Sequence, residues 1–197
     1  MGDYFERIVD IEVSAEDAQA TAARMLDWLV ARELLTWEMS GERMYSLQVD
    51  EGHLPGSRWQ QVTQDWGSDW IPGPVAVIIG REDHFGGQGE SEAESATCPS
   101  CATTTVIIDY PQRWEADPEV WRPFEQAIDE WKRTGTGTVA CRHCGTGHPV
   151  TEWLWPSGTA LGALAFDFWS WPPLTDAFLD EFTAQLGHRT DHHTGKF

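Results

Sequence analysis

Two matched cysteine pairs constrain this chain more than any other feature. Cys98-Pro99-Ser100-Cys101 and Cys141-Arg142-His143-Cys144-Gly145 contain every cysteine in the 197 residues. Two residues between thiols let one tight turn aim both sulfurs at a single ion, and the turn amides can then donate to the sulfurs. Two such turns make a tetrahedral four-thiolate site, the coordination zinc takes in structural centres. Pro99, Ser100 and Gly145 are small or turn-forming neighbours that suit these turns. Two disulfides would use the same residues, but a chain without a secretion signal keeps its thiols reduced. A redox pair would use one C-x-x-C at a helix start, not two matched pairs.

The paired motifs resemble those of the four-cysteine zinc ribbons, in which two knuckles at hairpin tips clamp one zinc. The resemblance covers about residues 96–155 and implies that Cys98, Cys101, Cys141 and Cys144 are the ligands of one structural zinc per chain. Thirty-nine residues separate the pairs, against roughly 15–20 in the compact pattern. Asp117-Pro118 followed by Phe124, Ala127, Ile128 and Trp131 predicts a short turn and then a helix over about 123–133, ending at Gly135. Pro123 stands too far inside for one regular helix from 118. Four thiolates close the coordination sphere, so such a zinc holds the fold together and leaves no place for a reacting water.

Outside residues 96–155 the patterns predict an α+β body made of 1–95 and 156–197. Phe5 to Val13 alternates, with Val9, Ile11 and Val13 on one face and Asp10 and Glu12 on the other, as a half-buried strand does. Ser14 can then cap a helix over about 15–34, striped by Ala18, Ala22, Met25, Leu26, Leu29 and Leu34. Residues 161–169 read as a buried strand. Thr175 caps a second helix, with Phe178, Leu179, Phe182 and Leu186 inward and Gly187 at its end. Residues 188–193 read as a polar edge strand and 74–80 as a further strand, while 81–97, rich in Gly, Glu and Ser, read as a surface loop. No repeat of fixed period is evident. Two strand–helix units on one antiparallel sheet, both helices on one face, give an α/β sandwich. Its simplest version is ferredoxin-like, here with an inserted zinc-ribbon-like subdomain.

Charge narrows the partner. The net charge is −19, which argues against a phosphate backbone, where affinity comes from Lys and Arg. Residues 1–95 hold 19 acidic and 6 basic groups, whereas 96–155 hold 8 and 5. Arg133 and Arg142 make no basic stripe in the cysteine-bearing stretch, so a nucleic-acid-binding ribbon is the weaker reading. No apolar run approaches the ~18–20 residues that span a bilayer. The first residues show no basic-then-apolar leader, and a cytoplasmic location is expected. Eleven Arg against only Lys132 and Lys196, with abundant Ala, Gly and Trp, fits a GC-rich bacterial genome.

Other side chains carry weaker signals. Trp59, Trp66 and Trp70 lie in a polar stretch with Asp65 and Asp69, and could form a binding patch. Trp153 with Trp155, and Trp169 with Trp171, would share strand faces and fill a core. On a strand, His188 and His192 share one face and Asp191 and His193 the other, so either pair could serve a second metal or an acid–base centre. His84, after Glu82 and Asp83, is a further candidate. The bland reading of both is a solvated surface. Gly86-Gly87-Gln88-Gly89 and Gly135-Thr136-Gly137 lack the Lys-Ser/Thr ending of a phosphate loop, and no nucleophile turn or His-Glu-x-x-His helix occurs. The expected function is thus a non-enzymatic binding, inhibitor or adaptor protein whose acidic surface recruits a basic protein. The alternative is an enzyme acting on a small molecule through the histidines.

Overall fold

A computed structural model describes residues 4–65, 67, 69–86, 92–156 and 158–196. Trp66, one of the three tryptophans expected to bind, and most of the Gly86–Gly89 stretch lie outside the described residues. The chain is α+β. Among the described residues it holds three helices, one six-stranded sheet and two two-stranded hairpins. It divides into two compact units. The first comprises Met1–Gly80, Gly86–Gln88 and Gly162–Phe197, and the second Arg81–Phe85 and Gly89–Leu161.

In the first unit, β1 (Tyr4–Asp10) is buried along nearly its whole length rather than half-buried, because both of its faces are covered: Ile8 packs in the helix-side core, and Phe5 packs against Trp169 on the other face. It stops at Asp10, earlier than the alternation predicts. The Asp10 carboxylate accepts from the amides of Glu12 and Val13 at 3.0 and 2.8 Å, which turns the chain out of the sheet. Ser14 accepts from the Asp17 amide at 3.1 Å and closes a short turn, so α1 (Ala18–Ala31) begins later than expected. After it come β2 (Leu35–Ser40), β3 (Gly52–Pro55), a 3₁₀ turn (Trp59–Val62) and β4 (Val75–Phe85). Numbering strands along the whole chain, β9 (Thr159–Trp169), α3 (Asp176–Leu186) and β10 (Thr190–Lys196) complete this part.

The sheet order is β10-β1-β9-β4-β3-β2. It has six strands, where a β-α-β-β-α-β chain supplies four, and β1 runs antiparallel to both its neighbours. Ile8, Leu164, Phe166 and Phe168 share one core with Met25 and Leu29 of α1 and Phe178 and Phe182 of α3. Both helices therefore cover one sheet face. They are tied together by Trp28, stacked on Phe178 at 6.2 Å and edge-on to Phe182 at 5.9 Å. The opposite sheet face holds Phe5, Ala76 and Trp169. Trp169 and Trp171 do not share a face, because Ser170 between them takes a left-handed φ of 54° and reverses the alternation. Trp171 joins the helix-side core with Phe168.

Thr175 caps α3 as its position predicts, its hydroxyl accepting from the Phe178 amide at 3.3 Å. Thr175→Ala should cost about 1 kcal/mol, read as a lower urea midpoint with an unchanged slope.

In the second unit, β5 (Ser95–Thr97) pairs with β6 (Thr104–Val106), and β7 (Thr138–Ala140) with β8 (Gly147–Pro149). Half of the expected 81–97 loop is strand, since β4 runs on through Phe85 and β5 begins at Ser95. One helix, α2 (Pro118–Thr134), replaces the expected turn plus helix 123–133. Asp117 caps it by accepting from the Glu119 amide at 3.0 Å. Pro123 is accommodated because the carbonyl it leaves without an N–H belongs to Glu119, in the exposed first turn where water serves. Gly135 ends the helix at φ 85°. Trp121, Phe124, Ile128 and Trp131 face a core with Ile107, Val139, Val150 and Trp153. Trp153 and Trp155 both meet the ring of Phe124 edge-on, at 4.9 and 5.5 Å.

Candidate metal centre

Each hairpin of the second unit carries one cysteine pair at its tip, and the two tips are built alike. In the first, the Cys98 amide donates to the Thr103 carbonyl (3.1 Å) and the Ala102 amide to the Cys98 carbonyl (3.0 Å). In the second, the Cys141 amide donates to the Thr146 carbonyl (2.9 Å) and the Gly145 amide to the Cys141 carbonyl (2.8 Å). Ala102 and Gly145 both adopt left-handed backbone, φ 53° and 76°. The strand registers match as well: Ser95 pairs with Val106 as Thr138 pairs with Pro149. This is a local repeat, Cys-x-x-Cys-(Ala/Gly)-Thr. The sequence shows it only through the small residue and the threonine after each pair, because the flanking strand residues differ.

The left-handed position suits Gly145 and strains Ala102, whose Cβ meets the adjacent carbonyl. Gly145 has no heavy atom within 4 Å of a built Cβ, so a side chain there would meet only the backbone penalty. Gly145→Ala should destabilise the second unit by about 1 kcal/mol, and Ala102→Gly should stabilise it by up to about that amount. Urea unfolding of the metal-loaded chain, followed at the tryptophans around Phe124, would show shifts of opposite sign.

The four Sγ atoms lie within 4.8 Å of one another and could hold a metal ion. Across the hairpins, Cys98 faces Cys144 at 3.9 Å and Cys101 faces Cys141 at 3.8 Å. A disulfide needs about 2.05 Å, and all four thiols are free. Cys98 and Cys141 are buried, while Cys101 is half-buried and Cys144 exposed. Three of the thiols have displaced acidities. Burial pushes Cys98 up to about 11. Hydrogen bonding by Thr103 pulls Cys101 down to about 6, and Thr146 lowers Cys144 in the same manner. The two outer cysteines are thus both shifted toward the thiolate by their own knuckles. The buried Cys98 gains most from a cation at the centre, which deprotonates a coordinating thiol. The His143 amide reaches the Cys141 sulfur at 3.4 Å, and Ser100 Oγ meets His148 Nε2 at 2.8 Å, tying one hairpin to the other.

The other candidate residues fall elsewhere. His84 belongs to the second unit and is buried on β4. The other candidate histidines, His188, His192 and His193, belong to the first unit. His188 precedes β10 rather than lying on it, and its Nδ1 meets the buried Asp10 carboxylate at 2.8 Å. His192 Nε2 meets Glu6 at 2.8 Å, and His193 Nδ1 meets Asp191 at 2.8 Å. Each of these three rings has its own carboxylate, so they do not converge on one point. Two of those carboxylates, Glu6 and Asp10, stand on β1, far away in sequence. Sequence reasoning missed them for that reason, and missed the buried Arg7–Asp167 pair as well. Trp59 is half-buried, edge-on to Trp171 at 5.8 Å. The Trp70 indole donates to the Ser170 carbonyl at 2.6 Å.

The chain matches no protein-family model, no curated protein and no solved structure. No helix among the described residues is long and apolar enough to cross a membrane.

Proposed function

We propose that the chain is a zinc-stabilised, non-enzymatic binding protein of the inhibitor or adaptor kind, whose acidic first unit takes up a basic protein partner. The carrying observation is the pair of cross-hairpin sulfur separations, 3.8 and 3.9 Å. A tetrahedron of sulfurs about 2.3 Å from zinc has edges of about 3.8 Å, so the cysteines fit the ion. Cys98, Cys101, Cys141 and Cys144 would hold it, and with four thiolates its chemistry is structural cross-linking. Two hairpins with a knuckle at each tip support the likeness to a zinc ribbon. Iron prefers the same tetrahedral thiolates, and metal analysis separates the two.

The binding half of the proposal rests on charge. Most of the net −19 belongs to residues 1–95, and complementary charge speeds encounter and selects partners. The histidine–carboxylate pairs around β10 support this reading over an enzyme, since each ring meets a different carboxylate and, among the described residues, only the four cysteines gather as a group of metal-ligand type. Capture on the immobilised chain from bacterial lysate at low salt should retain a basic protein that salt releases. Recovery of nucleic acid, or of no basic protein, would overturn the proposal.

A further inference from the structure

The first unit has a concavity of about 370 Å³ lined by Trp59, Gln60, Thr63, Gln64, Asp65, Gly67 and Pro172. We propose that it receives the guanidinium of an arginine side chain on the basic partner, a proposal that rests on the reading above and gives that partner a contact point.

The walls are fixed in place. The Gln64 amide donates to the Pro173 carbonyl at 2.8 Å and the Thr175 amide to the Val62 carbonyl at 2.9 Å, with Thr63 bridging to Leu174. Trp171, 4% exposed, braces the Trp59 ring. A guanidinium is planar and carries five N–H donors in a rigid fork, and it stacks on aromatic faces. The lining answers each property: an indole, two glutamine amides and a threonine hydroxyl as acceptors, and the Asp65 carboxylate as the counter-charge. Among the described residues no Lys or Arg lines the cavity, so its lining offers an incoming cation no like charge. Asp65 also accepts from the Gly67 amide at 3.3 Å, which holds its carboxylate at the rim.

One exposed aromatic reaches the chain segment that supplies the cavity's Pro172, and it points to a protein as the bearer of the arginine. Trp70 is 38% exposed and bonded to Ser170, and Ile71 is 67% exposed. An exposed tryptophan near a charged pocket is the kind of anchor that interface centres use. A neutral sugar would use the same indole and amides but leave the carboxylate without a counterpart.

The test is calorimetric titration of the full chain at low salt with a short capped Gly-Arg repeat peptide, the same peptide with citrulline for arginine, and cellohexaose. The arginine peptide should bind at least about tenfold more tightly than the citrulline peptide, which keeps the shape and loses the charge. Asp65→Asn should weaken it about fivefold or more. Asp27→Asn, an exposed carboxylate on α1, should change it less than about twofold. Trp59→Leu should also weaken it in a chain whose thermal midpoint stays within a few degrees of wild type. Equal losses for Asp65→Asn and Asp27→Asn would reduce the effect to overall charge and overturn the site. Equal binding of the citrulline peptide, or binding of cellohexaose in place of the arginine peptide, would overturn it too. A captured basic protein that ignores Asp65→Asn and Trp59→Leu would sink this site while the binding-protein reading stands, whereas failure to capture any would sink the reading.

Discussion

Cys98→Ser and Cys141→Ser should each strip the chain of metal and unfold its second unit while the first unit stays folded. Both cysteines are buried, so the replacement hydroxyl can neither ionise nor find water. Structural zinc contributes an apparent ~10–16 kcal/mol in small domains near neutral pH. Trp121, Phe124, Trp131 and Trp153 share the core of the second unit with Ile107, Ile128, Val139 and Val150, but a unit this small, built on two short hairpins and one helix, does not make up for a loss of that size. Metal analysis should find about one zinc per wild-type chain and essentially none in either variant. Hydrogen exchange should show protection lost at residues 95–106 and 138–149 and retained in β1 and β9. Acid should act like the mutations. Protons compete for all four thiolates, so the metal is held at neutral pH and released as pH falls. Wild-type protein holding neither zinc nor iron would refute the centre. Unaltered exchange after removal of the metal would refute its structural role.

Arg7→Met should destabilise the first unit by about 3–5 kcal/mol. Arg7 and Asp167 stand opposite each other in the β1–β9 register, and Nε and Nη2 reach the two carboxylate oxygens at 2.6 and 2.5 Å. The Asp167 side chain is 0% exposed. Removing the guanidinium strands that charge in the sheet, which is why the loss exceeds the worth of the pair itself. Replacing both, Arg7→Met with Asp167→Leu, should recover most of the loss, since well-packed apolar residues often equal a buried ion pair. Urea unfolding of the single and double variants gives the comparison. A single variant within about 1 kcal/mol of wild type would mean that water reaches Asp167.

Features coded by neighbouring residues were legible in the sequence. The two knuckles are written in six residues each, and the Thr175 cap with Gly187 and the Asp117 cap with Gly135 mark helix ends within one turn of the chain. β2 and β3 escaped because β2 leaves Trp37 and Met39 exposed, at 57% and 49%, and is bulged between Leu35 and Met39. A bulge breaks the alternation by which a strand is read. The expected break at Pro123 failed for a different reason: a proline costs less where the orphaned carbonyl already faces water. The polar bonds of β1 could not be anticipated at all. Glu6 with His192, Asp10 with His188 and Arg7 with Asp167 each join residues more than 150 positions apart, and no local pattern records such partners.

β4 and β9 are neighbours in the six-stranded sheet, and each passes from the first unit to the second along its own length, at Gly80–Arg81 and Leu161–Gly162. To the sheet, everything between them is one long connection. The entropy of closing such a connection grows only with the logarithm of its length, so the sheet is nearly indifferent to whether the connection is ordered. The molecule is in effect a host and a guest on one chain. Heating should therefore resolve two transitions, and adding or withdrawing zinc should move one of them and leave the other where it was.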